Sequence, residues 1–144
     1  MSARESDLSS WVRSHHVSWE ARPLKVLNHG TVHAVGYEVT LYAPVPDFAP
    51  ACPTCLETFS HLQAVAREVL PYASDRPTVC RLRPFDGALH MRSGPRGIEP
   101  AVQLEVEVQH KTGYLADLDE CEARCGREIQ EGLRRLGAVP AGNH

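Results

Sequence analysis

Apolar and polar residues keep two different rhythms along this chain, and each rhythm predicts an element. Over residues 31–43, Val35, Tyr37, Val39 and Leu41 alternate with Gly36, Glu38, Thr40 and Tyr42. A period of two means a strand with one face in the core and one partly wet. Residues 101–110 repeat the pattern: Val102, Leu104, Val106 and Val108 oppose Gln103, Glu105, Glu107 and Gln109. Elsewhere the rhythm is helical. Leu56, Phe59, Leu62, Ala66 and Val69 form one stripe, and Leu115, Leu118, Cys121, Cys125, Ile129, Leu133 and Leu136 form another.

Local signals place the ends. Residues 6–16 predict a short helix with Leu8, Trp11, Val12 and His15 on one side. It is too short to stand alone, so it docks on its own domain or on a second subunit. Residues 23–28 and 31–43 predict strands around an Asn28-His29-Gly30 turn. A proline-rich loop, 44–51, leads to a helix that ends near Leu70-Pro71. Residues 78–83 and 88–92 predict a hairpin about Asp86-Gly87, with Phe85 facing Ala88, Arg83 facing His90 and Arg81 facing Arg92. Residues 94–100 predict a loop. The strand 101–110 then sets Glu105 and Glu107 beside the arginines. A final helix spans 118–136, with acidic residues at its start, Arg134 and Arg135 in its last turn, and Gly137 as its C-terminal cap.

The predicted order is therefore α-β-β-α-β-β-β-α. It describes a single α+β domain whose mostly antiparallel, five-stranded sheet carries two helices on one face. Residues 1–20 form an N-terminal helix or arm, 21–139 the domain, and 140–144 a loose tail. The 144 residues are enough for one core without covalent staples. A net charge of -3 gives no general pull towards nucleic acid or anionic lipid. No apolar run approaches a membrane span, and the polar N-terminus lacks a signal-peptide core, which predicts a cytoplasmic protein.

Five cysteines in a reducing compartment bring chemistry into the picture. Cys52 and Cys55 form a C-x-x-C pair where the loop turns into a helix. Either Thr54 caps that helix, with Glu57 closing a capping box, or Cys52 caps it, with Pro53 at the first helical position. In both registers free N–H groups and the helix dipole favour thiolate. Cys121 and Cys125 lie one turn apart on the last helix, and Cys80 faces inward from a strand. Were the two helices neighbours, four thiolates could converge on zinc, with Cys80 as a reserve ligand. The competing reading treats all five as small apolar core residues.

Cys52-Pro53-Thr54-Cys55 resembles a zinc knuckle. Before a helix it also resembles the glutaredoxin active-site motif, and Pro77-Thr78-Val79 is similar to the thioredoxin-fold segment that carries a cis-proline. That resemblance implies Cys52 as attacking thiol and Cys55 as resolving thiol. Residues 71–76 are too short to hold the strand a thioredoxin fold places there, so only the chemistry is carried forward. The order of elements and the acidic balance are similar in layout to the type III secretion chaperones, which implies a homodimer that binds a protein partner.

The remaining motifs are absent: no phosphate-binding glycine loop, nucleophile elbow or H-E-x-x-H occurs. Arg81, Arg83, Arg92 and Arg96 read as a basic strand face balanced by Glu105 and Glu107. The expectation is a binding or regulatory domain without enzymatic activity and with no nucleic-acid or membrane partner. It carries a zinc site on Cys52, Cys55, Cys121, Cys125 and Cys80, with a thiol-disulfide protein and a dimeric chaperone as the alternatives.

Overall fold

The structure is a computed structural model that describes residues 3–45, 53–70, 78–85, 87–111 and 118–141. In chain order its elements are α1 (Ala3–Ser14), β1 (Ser18–Asn28), β2 (Thr31–Pro44), α2 (Pro53–Val69) and β3 (Thr78–Leu82). Then come β4 (His90–Gly94), β5 (Gly97–Lys111), α3 (Leu118–Leu136) and β6 (Val139–Pro140).

β2 and β5 are the two alternating stretches, and they pair antiparallel over their whole length, from Ala34 with Lys111 to Pro44 with Ala101. β1 flanks β2 as a long hairpin, closed by His29 and Gly30. Both turn residues have positive φ, 53° and 79°, the pair of left-handed conformations that a two-residue turn needs to follow strand twist. The inward side chains of β2 and β5 meet the apolar stripes of the helices. Leu41, Leu104, Leu62, Val65, Ile129, Leu133 and Leu136 are all almost wholly buried in one core.

α2 lies on β5 and β2, α3 lies on β2, and α1 packs against both helices. Leu8 and Val12 of α1 enter the core, and the Ser9 hydroxyl donates to the carbonyl of Leu136 at 3.1 Å. The short first helix thus docks on its own domain. α1 and α3 end in the same way. Val17 N–H reaches Val12 and His16 N–H reaches Arg13, while Ala138 N–H reaches Leu133 and Gly137 N–H reaches Arg134. Each is a Schellman motif with a left-handed residue past the helix end, His16 in one case and the expected Gly137 in the other.

Four features differ from expectation. The sheet has six strands rather than five, and it is mixed, because β6 pairs parallel with β1 at Ser18–Val139 and Trp19–Pro140. The order of elements therefore continues with a strand after the last helix. α2 and α3 lie on the sheet, and α1 packs on those two helices. The Asp86-Gly87 hairpin does not form: β3 and β4 both pair antiparallel with β5, end to end along one edge. Arg81 is opposite Glu107, His90 opposite Ala101, and Arg92 opposite Glu99. The long, regular β5 offers both pieces a ladder, and just past β3 the Arg83 N–H still donates to the Glu105 carbonyl. Asp86 itself lies outside the described residues. Residues 94–100 belong to a real hairpin, β4–β5, in which Gly94 faces Gly97.

Candidate functional site

The helices lie on one side of the sheet, and among the described residues no helix covers the other. Even-numbered residues of β1 and β2 and odd-numbered residues of β3 and β5 point there, and register places them in rows. One row runs Arg22, Glu38, Glu107, Arg81 across β1, β2, β5 and β3. The next runs Glu20, Thr40, Glu105, and ends at Arg83, whose N–H donates to the Glu105 carbonyl. Carboxylates therefore occupy the middle of the face, with Glu38 directly opposite Glu107, and arginines flank them at the outer strands. The face forms a shallow basin of about 550 Å³ whose lining includes Glu20, Arg22, Glu38, Tyr42, Glu105 and Glu107.

Several of these groups are held in place. Arg22 Nε donates to Glu38 Oε2 at 2.6 Å. Arg83 lies 3.3 Å from Glu105 and 3.6 Å from Glu107. Gln103 donates to Glu105 and Gln109 donates to Glu107, so both carboxylates are oriented from along their own strand. At the β4 end, Tyr42 Oη donates to Glu20 Oε1 at 2.6 Å, and Arg92 donates to Glu20 Oε2 at 3.1 Å. Burial and the Glu20 carboxylate together push the Tyr42 phenol well above its ordinary value. Most of these pairs are exposed, and each is worth only about 0.2–1 kcal/mol. Their consequence is positional: they fix where charge sits on the face.

The outer edge of the sheet is blunted. Val17 and Trp19 turn their carbonyls outward to β6, so by alternation Ala21, Pro23 and Lys25 do the same beyond it. Pro23 has no N–H to offer and Lys25 carries a charge, which are two of the usual devices against strand addition.

The predicted cysteine centre is placed as follows. Cys55 and Cys125 are fully buried members of the main core, Cys121 is buried on α3, and Cys80 packs half-buried against the core from β3. Cys52 lies outside the described residues. α2 begins at Pro53, the register with proline at the first helical position. Among the described residues no three His, Cys, Asp or Glu side chains group so as to hold a metal ion. Of the histidines, His15 and His61 stack on either side of Trp11, with ring centroids at 4.6 and 4.8 Å. Each turns Nδ1 to a backbone carbonyl, that of Trp11 or Glu57, and together they clamp α1 to α2. Tyr37 points inward, its hydroxyl against Gly126 of α3. Burial and the neighbouring Glu122 raise its phenol pKa, with Cys125 adding to the shift.

Glu20, Arg22 and Tyr42 were not among the predicted site residues. The predicted strand starts at Pro23 and so leaves out the first two, although Trp19 and Ala21 already alternate with Glu20 and Arg22. That alternation was the available signal. Among the described residues no helix is long and apolar enough to cross a membrane. In comparisons with known proteins, no family model, curated protein or solved structure matches this chain.

Proposed function

We propose that this chain is a binding domain without enzymatic activity, and that it recognises a polypeptide segment of mixed charge on the helix-free face of its sheet. The observation that carries the reading is the ordered placement of charge across four strands, the central pair Glu38 and Glu107 flanked by Arg22 and Arg81, beside the row headed by Glu20. A basin of about 550 Å³ lies within the range of ligand sites, and its groups are oriented before a ligand arrives. An acidic centre flanked by arginines selects a partner that carries both signs. A ligand of a single charge meets like charges as well as unlike ones, and misplacement of this kind is how electrostatics gives specificity. The partner lies over the face rather than adding to the edge, because Pro23 and Lys25 blunt β1. A second copy of the chain is one such partner.

The test is a binding titration with three synthetic peptides of equal length: alternating lysine and glutamate, all lysine, and all glutamate. The mixed peptide binds saturably and at least about tenfold more tightly than either of the others, and Glu38→Lys with Glu107→Lys removes the preference. Equal or absent binding of all three peptides overturns the proposal. Sedimentation of the free chain shows whether the face is already taken by a second copy.

A further inference from the structure

We propose that a second site, a cleft at the end of the sheet, binds a small apolar carboxylate. The cleft measures about 340 Å³ and lies between the end of α1, β6 and the β4–β5 turn. Its walls are mainly apolar, formed by Val12, Val17, Val139, Pro140 and Pro95. The fixed charge at its mouth is the Arg13 guanidinium. Arg13 and His16 are the titratable residues in the lining, and no Asp or Glu joins them. Nearby Arg96 is already neutralised by Glu99 at 2.6 Å.

Arg13 is exposed at the end of α1. Its side chain lies across Gly137, where a Cβ would come within 2.6 Å of Nε, so the cap glycine of α3 makes room for the guanidinium. Among the described residues neither the Arg13 guanidinium nor the His16 side chain has an ion-pair or hydrogen-bond partner. His16 carries a further oddity. It occupies the left-handed position past the end of α1, with φ 52°, where glycine is the usual residue. An imidazole held there at conformational cost, beside an arginine over an apolar floor, matches a ligand with an apolar body and a carboxylate head.

The experiment is calorimetric titration of the full chain with octanoate, and with octylamine and acetate as controls. Octanoate binds saturably at one site, while octylamine and acetate do not. Arg13→Gln and His16→Gly each weaken octanoate at least about tenfold, the loss of a charge-assisted hydrogen bond. His16→Gly also keeps or raises the thermal midpoint, because glycine suits that backbone. Its loss of binding therefore reports the contact and not the fold. No octanoate binding, equal binding of octylamine, or undiminished binding by Arg13→Gln overturns the assignment. The peptide preference of the sheet face is unaffected by either variant.

Discussion

The guanidinium of Arg92 lies 3.9 Å above the ring centroid of Tyr42, although their strands are not neighbours. β5 runs between β4 and β2, and at that crossing it offers only the small Ala101. Arg92 therefore spans the gap, covers the Tyr42 ring and ends on Glu20 of β1. One side chain ties together the two ends of a face that has no helix to brace it. Arg92→Ala should lower stability by about 1 kcal/mol, a half-exposed cation–π contact plus a charged hydrogen bond. Arg92→Lys should restore only part of it, because a point charge cannot both stack on the ring and reach the carboxylate. Denaturant midpoints of the three proteins check this.

Tyr42 gives the face a pH dependence. Its phenol must be neutral to donate to Glu20, and its folded pKa is raised. The unfolded phenol ionises near pH 10, so the stabilisation is complete below about pH 10 and falls as pH rises beyond it. Urea midpoints measured from neutral pH to about pH 11 should decline at the top of that range. Tyr42→Phe should start lower at neutral pH and decline less steeply.

Two glycines are required by packing. A Cβ at Gly36 would overlap the carbonyl oxygen of Val108 on the neighbouring strand, where neither backbone can yield. A Cβ at Gly132 would lie 2.7 Å from the carbonyl oxygen of Val69 at the end of α2. Alanine in mid-helix normally gains about 1 kcal/mol over glycine. At Gly132 the clash should reverse that sign, and Gly36→Ala should cost about 3 kcal/mol or more. Thermal unfolding of the two variants measures both.

The cysteines offer a sharp choice between packing and redox chemistry. Cys55 and Cys125 are fully buried beside Leu62 and Ile129. As core residues they should be alkylated only as fast as the domain opens, with rates that rise with denaturant. Cys55→Ala should be milder than Cys55→Ser, which buries a hydroxyl at a cost of about 1–3 kcal/mol. Fast alkylation of Cys55 in the native protein, read site by site by mass spectrometry, would contradict this.

Much of the fold was legible because its signals were long. The strict alternation in β2 and β5 and the stripe ending at Leu136-Gly137 each extend over many residues, and the structure keeps them. Short signals yielded to longer ones. Asp86-Gly87 is a strong local turn, yet β3 and β4 gain more ladder by pairing with β5 than with each other. Pro23 reads as a strand start only if the strand is assumed to be interior; on an edge it fits mid-strand, which hid Glu20 and Arg22. Cysteine spacing was the least informative feature, since a helical stripe of sulfur packs into a core as readily as it binds a metal.

The central claim is that the uncovered sheet face is the recognition surface. Amide chemical-shift mapping during titration with the alternating lysine–glutamate peptide tests it most directly. The account predicts perturbations concentrated at Glu20, Arg22, Glu38, Thr40, Glu105 and Glu107. Perturbations confined to α1, α2 and α3, with those six residues unmoved at saturation, would contradict it.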